Sequence, residues 1–208
     1  MPVGLGGEEL WLCPTLNAST VDLSGNGNST ALGSASIVTD GIYKHYDDSV
    51  TTLQSSSIND LGPMSWSFWF KSSLNAASTN TRMITKSFKF IDMRQGGSDN
   101  QKLTFTVDGS GGDAVGITAY VSPTPYRTQW TNLIATWNGA MSGGIVGSVY
   151  IDGVHSVDVV ANGGTAKVEA AYDLVTGNSL TATDDIRLYG RVITQAEVTH
   201  LATARGVL

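Results

Sequence analysis

Carboxylates set close together are the residues of this chain best suited to chemistry. Hydrolysis of a glycosidic bond needs two of them, one to protonate the leaving oxygen and one to attack or to activate water. The four glutamates, Glu8, Glu9, Glu169 and Glu197, nowhere form an E-x-D-x-x-E arrangement. Asp47-Asp48 and Asp184-Asp185 are adjacent pairs. Neighbours on an extended strand point to opposite faces, so neither pair is expected to flank one bond. No catalytic residue is assigned on this reading. His45, His155 and His200 are isolated, without Ser-His-Asp or metal-ligand spacing. His155, beside a turn, and His200, on a helix face, read as solvated surface residues. Cys13 stands alone in an apolar run. It reads as a small core residue, and one cysteine allows neither an internal disulfide nor a cysteine metal cluster. Asn17-Ala18-Ser19 and Asn28-Ser29-Thr30 match glycosylation acceptors.

Positioning falls to two aromatic stretches. In 64–71, MSWSFWFK, Trp66, Phe68 and Phe70 alternate with Ser65, Ser67, Trp69 and Lys71. This period of two predicts a central antiparallel strand. Its expected partner is 130–137, WTNLIATW, where Leu133, Ala135 and Trp137 alternate with Asn132, Ile134 and Thr136. Four of the five tryptophans fall in these two stretches, which places the largest burial there.

The remaining chain reads as short strands and turns. Strands are expected at 9–14, 35–38, 42–46, 49–53, 83–85, 89–93, 103–107, 115–121, 172–176 and 185–189. Asp40-Gly41 separates two of them as a tight turn. The loop 22–30, DLSGNGNST, is rich in turn formers. The hairpin 148–157 is centred on Asp152-Gly153, a pair favoured by type I′ turns. One helix is expected near 194–204. Thr194 with Glu197 makes a capping box, Ile193 and Val198 a hydrophobic staple, and Gly206 a stop.

The whole chain of 208 residues is expected to be one domain. Its 24 glycines and low charged fraction of 14% suit a turn-rich β protein. A net charge of −6 argues against a nucleic-acid partner, whose phosphates need a positive surface. No basic amphipathic segment or long apolar run points to a membrane. The N-terminal sequence carries no recognisable export signal.

Five motifs in order, DLSGNGN, SWSFWFK, WTNLIATWNG, SVYIDGV and DDIRLYGRVITQAEVTHL, make the chain resemble the laminin-G-like jelly rolls of the concanavalin A-like lectin/glucanase superfamily. The resemblance implies an all-β fold, a two-sheet antiparallel jelly-roll sandwich with one short C-terminal helix. It also implies a structural Ca²⁺ between the N-terminal loop and the last strand, with Asp22 and Asp184 or Asp185 as ligands, Asp185 foremost. The alternative is that Asp22 makes an Asx turn and Asp185 pairs with Arg187 or Arg191. A sugar-binding face is implied too, with Trp69, Tyr43 and Tyr126 as candidate platforms. The resemblance favours Trp69 as a packing residue over a sugar platform, since this position commonly packs in the family, and Tyr46 and Tyr120 are further rings. The function expected is a non-catalytic surface-presenting module. A bacteriophage virion surface or decoration component with glycan or cell-surface recognition comes first, because the family works outside cells and no export signal is seen. A stand-alone lectin or adhesion module is the alternative, and a glycoside hydrolase a remote one. A larger assembly or homo-oligomer is the expected partner.

Overall fold

The aromatic stretch does become the middle of a sheet. One sheet runs in the order β13 (Val154–Val160), β12 (Ile145–Ile151), β11 (Thr131–Trp137), β6 (Met64–Ser72), β15 (Thr181–Tyr189), β4 (Tyr43–Asp47) and β3 (Ser36–Asp40), and β1 (Glu8–Leu12) also pairs with β15. The other runs β10 (Gly116–Val121), β9 (Leu103–Asp108), β8 (Ile91–Gln95), β7 (Thr81–Lys86), β14 (Leu174–Thr176), β5 (Val50–Thr52) and β2 (Thr30–Ala31). The computed structural model describes residues 5–16, 21–47, 50–52, 62–72, 81–86, 91–95, 103–108, 116–121, 129–161, 163–164, 174–176, 181–203 and 205. Tyr126, Gly206 and the Asn17 acceptor motif lie outside them.

β11 is the antiparallel partner of β6, with Trp66 opposite Ala135 and Phe68 opposite Leu133. One face of this sheet packs on the other sheet. Trp66, Phe68, Phe70, Leu133, Ala135, Trp137, Leu10, Leu12, Ile186 and Leu188 share a cluster with Phe105 of β9 and Leu174 of β14. The rings of Trp66 and Phe105 meet across the sandwich at 5.2 Å. Each such side chain, taken wholly out of water, contributes about 1.5–3 kcal/mol. That alternation gives the all-β antiparallel jelly-roll architecture expected from the sequence.

Turn chemistry fits its positions. Asp152 and Gly153 have φ of 49° and 78°, the two left-handed residues a type I′ turn demands. The loop between β3 and β4 is Gly41-Ile42, one residue beyond the expected pair, and Gly41 takes its positive φ of 65°. α1 (Gln195–Leu201) begins at the expected capping box, with Thr194 accepting from the Glu197 amide and Glu197 from the Thr194 amide. It ends sooner than expected, at a cap on Ala202. No helix among the described residues is long and apolar enough to cross a membrane.

α1 covers the outer face of the first sheet. Ile193, Val198 and Leu201 pack there against Ile134 and Tyr189. The residues that matter next lie on this same outer face.

Candidate functional site

The acidic pair on β15 is where the strand departs from ideal geometry. Asp184 lies opposite Trp69 and Arg187 opposite Ser67, so three steps along β15 match two along β6. The extra residue is a β-bulge, and Asp185 occupies it with φ of 48°. Aspartate tolerates that left-handed conformation better than most residues. The consequence corrects the expectation of opposed carboxylates. Asp184 meets Cys13 and Thr15, Asp185 meets Trp11, and only Ile186 turns back into the core. Both carboxylates therefore share the outer face. A strand of regular pleat separates neighbours; the bulge inserts a half-turn that reunites them.

Sharing a face does not make them a catalytic pair, because each is consumed by a different partner. Arg187 donates to Asp185 through Nε at 2.8 Å and Nη2 at 3.0 Å, a bidentate fork. The Trp11 indole donates to Asp185 Oδ1 at 2.8 Å, and the Arg187 guanidinium stacks on the Trp11 ring at 4.3 Å. Arg187 also lies 3.9 Å from Glu8. Asp185 and Arg187 are both buried. Of the two arginine partners expected for Asp185, Arg187 is the one used, while Arg191 forks onto Glu197.

Asp22 shows how the N-terminal loop is tied to this cluster. Its Oδ1 accepts from the amides of Trp11 and Ser24, the second contact being an Asx turn. Its Oδ2 accepts from the Ser24 hydroxyl and from the amide and side chain of Asn28. Asp22 and Asp185 thus converge on one residue, Trp11, from its backbone and its ring. The oxygen set does not fit a cation, because the lone pairs a Ca²⁺ would use already face N–H and O–H donors. The side chain of Asn28 is also committed, donating to Glu9 O at 2.6 Å and to Asp22, which removes it as a glycosylation acceptor in the folded chain. A shallow cavity of about 270 Å³ opens beside this loop, lined by Val21, Asp22, Gly27, Asn28 and Thr30.

Asp184 has a looser set of partners. Thr15 donates to it at 2.9 Å, the Cys13 thiol lies 3.8 Å away, and Arg205 Nε lies 3.3 Å away. Burial pushes its pKa up to about 7, and the neighbouring Asp185 charge pushes the same way. Burial also raises the Cys13 thiol above its ordinary range, with the two aspartates adding to it, so this cysteine is an inert buried group. Arg205, from the segment after α1, stacks over the rings of Trp130 at 3.8 Å and Tyr43 at 4.4 Å. Its Nη1 lies 3.6 Å from Asp40 Oδ2, the atom that accepts the Trp130 indole N–H at 2.8 Å. His45 meets the Trp130 ring edge-on at 5.3 Å, and its pKa is lowered, chiefly by burial.

Of the rings expected to meet a sugar, Trp69 faces outward as its spacing requires but is only 9% exposed. Its indole N–H has no hydrogen-bond partner among the described residues. Tyr43 is half-buried at the sheet rim against Arg205. Tyr46 turns into the core. His155 and His200 are exposed, as read from sequence, with His155 held by Asp158 at 2.9 Å. Trp11, Trp130 and Arg205 were not singled out by sequence reasoning, whereas Arg187 was, as a partner of Asp185. The nearest signal was Trp11 and Cys13 lying two apart on one strand face, which marks an outer side richer than a solvated one.

No curated protein matches the chain in sequence. Its fold is shared with solved toxin domains. The binding domain of Paraclostridial Mosquitocidal Protein 1 superposes with a TM-score of 0.76 at 17% identity, over 94% of this chain and 52% of that one. The binding domain of botulinum neurotoxin serotype G gives 0.73 at 15%, over 94% and 50%. A structure of botulinum neurotoxin type C, whose cell entry depends upon interaction with two ganglioside molecules, gives 0.76 at 13%, over 94% and 50%. The chain spans about half the length of each. Residues 44–199 match the laminin-G family model of the concanavalin A-like lectin/glucanases superfamily, and the chain belongs to that family.

Proposed function

We propose that the protein is a non-catalytic module that binds glycans of a cell surface, and that it works as one of several copies on a larger assembly. The observation that carries the non-catalytic half is the fate of the acidic pair. Asp184 and Asp185 are the carboxylates best placed to cooperate, yet they are 0% and 2% exposed and hold Arg205 and Arg187 instead of facing a cleft. The binding half is supported by family membership and by a fold shared with toxin binding domains, one of which uses gangliosides. Tyr43, a half-buried ring at the rim, is the contact we assign to a sugar among the described candidates.

A rim site of one ring and a few hydrogen bonds exchanged with water binds weakly, with dissociation constants of about millimolar to micromolar, or roughly −4 to −8 kcal/mol. Several copies on one scaffold raise avidity without new contacts. The test is a glycan array probed with the chain alone and with the chain displayed in multiple copies. Binding by the multivalent form, weakened by Tyr43→Ala, is expected. Failure of the multivalent form on every glycan overturns the binding half. Release of reducing sugar from polysaccharides, lost in Asp184→Asn, overturns the non-catalytic half. We place the assembly on a virion surface, as a surface or decoration component. Detection of the protein on purified particles tests that placement, and its presence only as free protein refutes it.

A further inference from the structure

We propose that Trp130, Tyr43, Asp184 and Asp40 form a guanidinium-binding site, filled in cis by Arg205, where an arginine side chain of a partner polypeptide can take the place of Arg205. The proposal does not depend on glycan binding. It begins from a contrast between two arginines on one face. Arg187 lies two residues from its carboxylate, is 1% exposed and lies beneath Trp11 of a paired strand, so removing it means opening the sheet. Arg205 is equally hidden at 6%, but it arrives from the segment beyond α1. Its site is assembled from β3, β4, β15 and the residue before β11, none of which belongs to the segment that carries Arg205.

The shape of the site selects a planar cation. A guanidinium presents charge in its plane, toward Asp184 and Asp40, while its flat faces rest on aromatic rings. A lysine ammonium is a compact point charge without faces to stack, and it meets only one part of this set. A cation in the site favours the charged form of Asp184. With the site empty, Asp184 would sit buried beside Asp185 without its nearest cation.

The cis occupant fits incompletely. Arg205 Nη1 is buried and has no hydrogen-bond partner among the described residues, its distance to Asp40 being 3.6 Å. A buried donor left unpaired is unfavourable. An arginine approaching on a different backbone, free of the geometry that α1 imposes, can bring that group within bonding distance. The rim is open for such an approach, since the Asp40 side chain is 45% exposed and Trp130 and Tyr43 are half-buried.

The experiment is chemical rescue of Arg205→Ala. Thermal melts are recorded with N-acetyl-arginine amide, with N-acetyl-lysine amide, and with neither. The variant is expected to melt below the native chain. Arginine amide should restore the midpoint saturably in the millimolar range, with lysine amide about tenfold weaker, the ratio one good ring contact supplies. The restoration should vanish in Arg205→Ala/Trp130→Ala. Equal rescue by lysine, no rescue at all, or rescue that survives loss of Trp130 overturns the proposal. If Arg205→Ala does not fold, the native chain is titrated instead while the Trp130 indole N–H resonance is followed by NMR. A saturable shift with arginine amide alone supports displacement of Arg205, and an unmoved resonance refutes it.

Discussion

Replacing Arg187 with methionine keeps most of the side-chain volume and removes the charge. Asp185 would then be a buried carboxylate with Trp11 as its only remaining side-chain donor among those described. Arg187 and Asp185 side chains are 0% and 2% exposed, so solvent cannot replace the lost partner. Breaking a buried pair from one side costs about 3–5 kcal/mol, against a total stability of roughly 5–15 kcal/mol for a native domain. Asp185→Asn is the matching change on the other side. Asparagine keeps the left-handed backbone of the bulge acceptable, so the charge is removed without adding strain. That leaves Arg187 with Glu8 at 3.9 Å as its nearest other carboxylate. The double variant strands neither charge, and its cost should fall below the sum of the singles by about 1–3 kcal/mol. Urea denaturation of all four proteins, read by far-UV circular dichroism, measures each quantity. A cost below about 1 kcal/mol for Arg187→Met would mean a solvated surface pair, and a strictly additive double variant would mean the two groups do not interact.

Three further outcomes are expected. Trp66→Ala, at the contact with Phe105, should cost about 3–5 kcal/mol; a denaturation midpoint left unmoved would show that the inner face of β6 has been misread. Chelation with EDTA should leave the melting temperature unchanged, because the oxygens of Asp22 and Asp185 already have donors; a chelator-dependent fall, abolished in Asp185→Ala, would restore the cation. Asp184 has a folded pKa raised to about 7, so its contribution is fully present below the ordinary carboxylate pKa and is lost as pH rises through about 7. Denaturation midpoints of the native chain should therefore decline from pH 5 to 8 relative to those of Asp184→Asn, and parallel pH profiles would contradict this.

Period-two patterning settled the middle of the fold. Trp66, Phe68 and Phe70 alternate with serines, and such a stretch buries its rings only as a central strand with a partner such as β11. Asp152-Gly153 and the Thr194–Glu197 box were equally legible, because turn geometry and helix capping depend on residues within a few positions. The outer face was not legible in this way. Asp184 and Asp185 are neighbours whose orientation depends on the register of β15 against β6, a property of two strands more than a hundred residues apart. One left-handed residue there overturned the alternation rule on which the sequence argument relied. The pairing of Arg187 with Trp11 and the stacking of Arg205 over Trp130 and Tyr43 likewise join segments far apart in the chain. Local composition carries no trace of such contacts. Hydrophobic periodicity is a one-strand property and determined the core; the charge network of the outer face is a property of strand register and chain return, which only the folded sheet decides.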